Sequence, residues 1–168
     1  ILKQIYPDIP VVIGGIEASL RRVTHYDYWQ DSLKPSILVE SGADWLCYGM
    51  GERTMIEFTK AIESGRNIND IRRIPQLGFY MDGRCRVKDA VILNSYERCC
   101  KDKIAFAENF HVIETYANML TPPVLVEPVG KGYVQINPTW PPATQQEMDS
   151  FWDLPFTKLP HPRYKGKH

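Results

Sequence analysis

The 168-residue chain has no apolar run long enough to cross a bilayer and no excess of charge of either sign. A membrane-spanning helix needs about 20 predominantly apolar residues, so we expect no membrane segment. Residues 1–4 are not a basic leader before a long apolar run, so we expect no signal peptide. Because 20 basic residues balance 20 acidic ones, the charge predicts neither nucleic-acid binding nor attraction to anionic membranes. The basic tail, residues 158–168, is typical of a frayed terminus.

Cysteine is scarce, and its spacing lacks the usual ligand patterns. Four cysteines are too few for a disulfide framework in a chain of this length, so we expect reduced thiols and a cytoplasmic location. Neither CxxC nor CxxxCxxC is present, which predicts no zinc or iron–sulfur site within the chain. For the vicinal pair Cys99 and Cys100 we expect one thiol in the core and the other at the surface.

Two strand–glycine–helix units organise the sequence. Residues 11–13 are a short β-branched run, typical of a buried parallel strand, which Gly14 and Gly15 end before a helix begins at Glu17. Residues 45–52 repeat the pattern, and an amphipathic helix follows over residues 53–64. Open α/β sheets place ligands at the carboxyl ends of such strands. The sequence therefore predicts an α/β fold, with the carboxyl-side half of a Rossmann-like parallel sheet over residues 1–74.

The remaining segments are less regular. Residues 23–29 are poor helix material and predict an irregular connection, and residues 36–39 fit either a strand or a short helix. We expect an α+β appendage over residues 75–143 and a short helix with a proline-rich linker over residues 144–168. The predicted elements are extended runs at residues 71–74, 78–81 and 90–93, a helix over 97–120 with Cys100, Ile104, Ala107, Phe110, Ile113, Ala117 and Leu120 on its apolar face, a hairpin of 124–126 with 133–136, and a helix from a capping box at Thr144 to about Trp152.

The two glycine corners are the candidate ligand site. Free backbone N–H groups at Gly14, Gly15 and Ser19 are suited to a phosphate or an amide-rich cofactor tail, although Glu17 argues against a plain phosphate. Alternatively, the glycines serve the geometry of a tight turn alone, because no GxGxxG or P-loop pattern is present. The second corner has the same two interpretations. The candidate cofactor-binding residues are Gly14, Gly15, Glu17, Ser19, Gly49, Gly51 and Glu52, with no catalytic and no metal-binding residue predicted.

An aromatic block, residues 25–29, separates the two corners. His25 is a candidate acid or base in an aromatic setting. We favour the alternative, a cluster that packs against another part of a larger protein. Arg21 and Arg22 are candidates to clamp a carboxylate or phosphate, although solvated helix arginines are commoner. His111, in the middle of the predicted long helix, is most simply a structural or surface residue.

Several blocks in order resemble the YgiQ family of radical SAM proteins. They are residues 12–22, 25–29, 36–39, 48–53, 135–138, 144–149, 154–156 and 161–162. The resemblance implies a divergent cobalamin-binding-type Rossmann domain that precedes a radical SAM barrel. It also implies that the sheet begins before Ile1 and that the cluster-binding cysteines follow His168. The parent protein would hold a four-iron–four-sulfur cluster and S-adenosylmethionine, with its own barrel as this region's partner. On this interpretation the chain is an accessory region, inert by itself; the alternatives are a binding module for cobalamin or a nucleotide, and a purely structural domain.

The resemblance departs from the cobalamin-binding pattern at two points. Residues 49–52 are similar to a Gly-Glu-Gly-Glu-like loop that lies beside cobalamin, but Met50 stands where the central acid is expected. The Asp-x-His-x-x-Gly signature, whose histidine would ligate cobalt, is absent from the sequence. Both departures count against cobalamin binding.

Overall fold

The computed structural model describes residues 2–155, 157, 159, 162–164 and 166. Within these residues a six-stranded sheet carries helices on both faces, beside a separate two-stranded hairpin, which confirms the α/β class. The strands are β1 Val12–Gly14, β2 His25–Asp27, β3 Ser32–Lys34, β4 Trp45–Cys47, β5 Leu77–Asp82, β6 Val91–Ile92, β7 Leu125–Val129 and β8 Gly132–Ile136. The helices are α1 Leu2–Ile5, α2 Gly15–Leu20, α3 Ile37–Ser41, α4 Glu52–Glu63, α5 Ile68–Ile71, α6 Tyr96–Cys99, α7 Lys103–Ala117 and α8 Gln145–Trp152, with a 3-10 turn at Pro162–Tyr164.

The main sheet is mixed, with the order β1-β4-β5-β8-β7-β6. β1 pairs with β4 and β6 with β7 in parallel, as the Rossmann-like prediction requires. The other pairings are antiparallel. Of these, only β7 and β8 are joined by a short turn, which cannot connect parallel neighbours. β4 and β5 pair across residue 74, so one sheet runs through that point. The division of the chain into residues 1–74, 75–143 and 144–168 stays a prediction.

Apolar side chains cover both faces of the sheet. Leu46 and Val134 are fully buried on one face, beneath α2, α3 and α7. Trp45 lies on the opposite face because successive strand residues alternate. There it makes edge-to-face contacts with Phe58 of α4 and Phe79 of β5, at ring-centroid distances of 5.4 and 5.6 Å. The two layers hold the carboxyl ends of β1 and β4 in place.

The irregular connection predicted for residues 23–29 is wrong, because β2 and β3 form an antiparallel hairpin there. The Asp27 carboxylate accepts hydrogen bonds from the backbone N–H groups of Trp29 and Gln30, at 2.9 and 3.1 Å, and so closes the turn. Asp31 has a φ of 49°, which a tight turn tolerates in aspartate. An aspartate that satisfies turn amides was the available signal.

The single helix predicted over residues 97–120 is also wrong. The chain leaves the helix after Cys99, and Asp102 starts α7 by accepting a hydrogen bond from the Ile104 N–H group at 2.9 Å. This restart changes which face of α7 is buried. Ala105 and Asn109 face the core, whereas the predicted core residues Ile104 and Phe110 are 70% and 61% exposed.

Two shorter predictions are settled by capping side chains. Residues 71–74 are not extended: α5 ends at Ile71, and its N-cap Asn67 accepts a hydrogen bond from the Asn69 N–H group at 2.8 Å. Residues 36–39 belong to a helix, α3, which Ser36 caps. A capping serine or asparagine fixes a helix start where propensity alone does not.

Other predictions are confirmed. The β7–β8 hairpin, the helix α4 and the capping box of Thr144 with Glu147, which starts α8, are present. Cys99 is buried and Cys100 exposed, and His111 lies at the surface. Among the described residues, each helix is too short or too polar to span a bilayer. Of the predicted linker and basic tail, residues 156, 158, 160, 161, 165, 167 and 168 lie outside the described residues, as does Ile1.

Candidate functional site

The two glycine corners lie side by side at one edge of the sheet. Gly14 is the register partner of Cys47 in the parallel β1–β4 pair, so both strands end at the same level. A single hydroxyl joins the corners: Ser19 Oγ donates a hydrogen bond to Gly15 O at 2.8 Å and accepts one from Gly49 N at 3.1 Å. The structure therefore brings the predicted residues together. It also shows that the Ser19 hydroxyl already has protein partners.

The first corner is open. Gly15 has a φ of +88°, which glycine adopts readily, and a Cβ placed there would meet no heavy atom within 4 Å. Glu17 points along its own helix, where its carboxylate pairs with the Arg21 guanidinium at 3.3 Å. The Glu17 side chain is 78% exposed. On the sequence alone, the negative charge of Glu17 counts against a phosphate at this corner. The structure weakens that objection, because Arg21 pairs with the Glu17 carboxylate.

The second corner is closed on one side. Gly49 has a φ of +68°, and a Cβ there would lie 2.7 Å from Gln76 Nε2. That carboxamide donates a hydrogen bond to Tyr48 O at 3.0 Å. At Gly51 a Cβ would lie 3.0 Å from Cys47 Sγ. Close packing thus requires both glycines, while Met50 and Glu52 face solvent.

Both candidate arginines have protein partners. Arg21 pairs with Glu17, and the Arg22 guanidinium lies 5.4 Å from the centre of the Tyr48 ring. The Tyr48 hydroxyl donates a hydrogen bond to Asn137 O. Burial raises the pKa of Tyr48 to about 12, against the lowering effect of Arg22. These contacts assign Arg22 a packing role and do not leave it free as a clamp.

The hairpin separates His25 from the aromatic residues of the same block. The His25 ring is buried, its Nδ1 lies 3.2 Å from Val23 O, and burial lowers its pKa. Tyr28 and Trp29 are instead 78% and 89% exposed, in edge-to-face contact at 5.9 Å. Because the imidazole is buried while both rings face solvent, the geometry does not support an acid–base role for His25 in an aromatic setting.

Sequence reasoning missed a buried carboxyl group, that of Glu127 in β7. This residue is 0% exposed, and its Oε2 accepts a hydrogen bond from the Thr24 N–H group at 2.8 Å. Within the described residues, neither Glu127 Oε1 nor the Thr24 hydroxyl has a partner of good geometry. Burial raises the pKa of Glu127 to about 7, against hydrogen bonding from Thr24, which lowers it. One acid inside the apolar run 124–129 was the available signal.

The cysteines do not form a ligand set. Cys47 and Cys99 are buried, and burial raises the pKa of both thiols, that of Cys99 to about 11. In the part of the chain that the structure describes, no three His, Cys, Asp or Glu side chains converge as metal ligands. These residues do not fit an iron–sulfur cluster, for which thiolate ligands are needed.

The similarity of this chain to known proteins extends over nearly its whole length. The model of the family described as Radical SAM N-terminal matches residues 1–168. A UPF0313 protein of Porphyromonas gingivalis is 45% identical over 99% of this chain and 27% of its own length, and one of Bacteroides thetaiotaomicron is 42% identical over 99% and 29%. A UPF0313 protein of Methanocella arvoryzae is 37% identical over 98% of this chain and 27% of its own length. No solved structure gives a significant match.

Proposed function

Because this chain belongs to the Radical SAM N-terminal family, we propose that it is an accessory region that packs against the catalytic barrel of a radical SAM enzyme. The chain spans about 27% of the length of the Porphyromonas relative. The remainder of such a protein would hold the iron–sulfur cluster and S-adenosylmethionine, which is supported by the lack of a ligand set among the described residues of this chain. On this proposal the chain has no activity of its own, and the substrate binds to another part of the protein.

The observation that carries the proposal is a set of large apolar side chains that are exposed beside the glycine corners and in the turn of the β2–β3 hairpin. Ile16 and Leu20, one helical turn apart on α2, are 83% and 70% exposed, and Met50 is 58% exposed. Tyr28 and Trp29, in the turn of the β2–β3 hairpin, are also exposed. Soluble proteins rarely leave so many large apolar groups in water unless a partner covers them. We name these five residues the apolar edge.

The test compares solvent exposure in two proteins. Hydrogen exchange and oxidative footprinting are measured on the 168-residue chain and on a protein of the relatives' full length that carries it. We expect the apolar edge to be labelled in the chain and protected in the longer protein. Ile104, also exposed but on α7, is the matched reference site and should be labelled in both. Equal labelling of Trp29 in the two proteins would contradict the proposal.

A second candidate is a small-molecule site at the open corner. It is supported by the free space at Gly15 and by the adjacency of Gly14, Gly15, Glu17, Ser19, Gly49, Gly51 and Glu52. Cobalamin is disfavoured as the ligand, because Met50 replaces the expected acid and the cobalt-ligating histidine motif is absent. Equilibrium dialysis of the chain with hydroxocobalamin and with nucleotides tests this proposal. The control variant is Ser19→Ala, which removes the hydroxyl that hydrogen-bonds both corners. If the chain takes up none of the probes, the proposal is refuted.

The cellular compartment is a further part of the proposal. The free thiols of Cys47, Cys85, Cys99 and Cys100 support a reducing compartment, such as the cytoplasm. Thiol titration of the protein directly after lysis under alkylating conditions tests it, and alkylation of fewer than four thiols in the denatured chain would argue against it.

A further inference from the structure

A cavity lies away from the glycine corners, on the face of the sheet that carries Phe79. Since β5 and β6 are separated by β8 and β7 in the sheet, the connection over residues 83–90 must cross both strands. Together with α5, it borders an open cavity of about 560 Å³ over β5 and β8. That volume is within the range of about 300–1,000 Å³ that small-molecule sites occupy.

The cavity wall is basic and carries no acidic side chain. Arg72, Arg73 and Arg86 line it, and no Asp or Glu does. Among the described residues none of these three arginines forms an ion pair with a carboxylate. Guanidinium groups match the geometry of phosphate oxygens and bind them with two parallel hydrogen bonds. Three arginines on one cavity wall that has no acidic side chain favour an anion as the ligand.

The sheet holds in position the backbone that follows α5, which carries Arg72 and Arg73. Asn137, 2% exposed, donates hydrogen bonds from Nδ2 to the backbone oxygens of Arg72 and Ile74, at 2.8 and 2.7 Å. Its Oδ1 accepts a hydrogen bond from Gln135 Nε2 at 2.8 Å. The backbone carrying two of the arginines is therefore fixed before any ligand arrives, which lowers the entropic cost of binding.

The rest of the wall suits a planar ring. Phe79, Met81 and Tyr133 form an apolar floor, and the Arg72 guanidinium lies 5.7 Å from the centre of the Phe79 ring. Gln135 Oε1 accepts no hydrogen bond from the described residues, so it is available to an amino group on such a ring. We propose that this cavity binds an organic phosphate of mononucleotide size, with its phosphate on the arginines and its ring against the floor.

The test uses the 168-residue chain and adenosine monophosphate, titrated by calorimetry at low ionic strength. We expect adenosine, which lacks the phosphate, to bind at least about tenfold more weakly. Arg86→Gln should weaken binding of the monophosphate about tenfold, whereas Arg84→Gln should change it less than about twofold. Arg84 is the matched control because it lies in the same crossing connection, is exposed and does not line the cavity.

Three results would overturn the proposal. They are no binding of the monophosphate, equal binding of adenosine and the monophosphate, and equal effects of Arg86→Gln and Arg84→Gln. Displacement of the monophosphate by inorganic phosphate at the same concentration would refute the contribution of the ring. Both arginine variants change exposed side chains, so folding should persist.

Discussion

One end of the sheet is built differently from its centre. β1 and β4 pair over the three residues from Val12 to Gly14 and stop at glycine corners, whereas β8 pairs over five residues with each of its neighbours β5 and β7. Ile16, Leu20 and Met50 of the apolar edge lie at the short-stranded end, and the fully buried Val126 and Val134 belong to the long-stranded centre. The centre stabilises itself by pairing and burial, while the corner end leaves apolar surface for another part of the protein to cover.

The largest effect should come from Leu77, the residue that joins the two regions. It is 0% exposed and pairs in register with Cys47 across the β4–β5 boundary. Leu77→Ala should lower the free energy of unfolding by about 3–4 kcal/mol, through lost transfer energy and the cavity left behind. Urea denaturation measures this loss, with exposed Leu120→Ala as the control.

Hydrogen exchange in Leu77→Ala would also test whether the short-stranded end and the long-stranded centre unfold together. If the two regions form one cooperative unit, protection of amides in β4 and in β8 should fall together. Loss confined to β4 would show that the short-stranded end opens independently.

The next effect is a pH dependence set by Glu127 in the long-stranded centre. In the folded chain its pKa, about 7, lies above the ordinary value of 4.5. Between these pH values the folded chain keeps a proton that the unfolded chain releases. The free energy of unfolding should therefore fall by about 3 kcal/mol as the pH rises from about 4.5 to 7, and then level off.

Urea denaturation across pH 4–8 measures this slope. Glu127→Gln has no proton to lose and should abolish the contribution, so that the variant is more stable than the original chain at pH 8. Glu63→Gln, at an exposed position, should leave the slope unchanged. A slope that survives Glu127→Gln would assign the titration to another group.

The two glycine corners sharpen the comparison within the short-stranded end. Gly49→Ala should cost about 2–3 kcal/mol, because a left-handed residue would also press on Gln76 Nε2. Gly15→Ala meets open space, so only the backbone cost of about 1 kcal/mol applies. Thermal unfolding of both variants tests the order. Equal losses would mean that the Gln76 contact relaxes freely.

The smallest effect should be at the hairpin tip. Trp29 is 89% exposed, so Trp29→Ser should change the stability of the chain by less than about 0.5 kcal/mol. In a protein of the relatives' full length the same variant should be clearly destabilising if the apolar edge is covered there. Denaturation curves of both proteins decide this, and a null effect in the longer protein would leave the edge without a partner.

Local patterns allowed much of the sheet to be predicted. The β-branched run before Gly14 and Gly15, the turn residues between β7 and β8, and the capping box at Thr144 each act over a few neighbouring residues. Predictions failed where a single polar side chain decides a boundary. Asp102 breaks the long apolar period and Asp27 closes the hairpin, and neither stands out against the periodicity around it.

The candidate corners were identified from sequence, but their chemical state was not. The Gly49 N–H group is bound by the hydroxyl of Ser19, which lies 30 positions away in the chain. The second corner is closed by Gln76, which lies 27 positions away from Gly49. The Glu127 carboxyl and the three arginines of the cavity over β5 and β8 were not identified from the sequence, because their environment is formed by residues distant in the chain. Their significance lies in what surrounds them, namely a buried site for Glu127 and a wall without acidic side chains for the arginines.

By itself the sequence determined the α/β class, the adjacency of the two glycine corners and the family resemblance, because these depend on short-range residue order. Tertiary structure alone decided the mixed direction of the sheet, the buried face of α7 and the groups left in water or without a partner. Burial and pairing are sums over residues far apart in the chain, and no local pattern contains them.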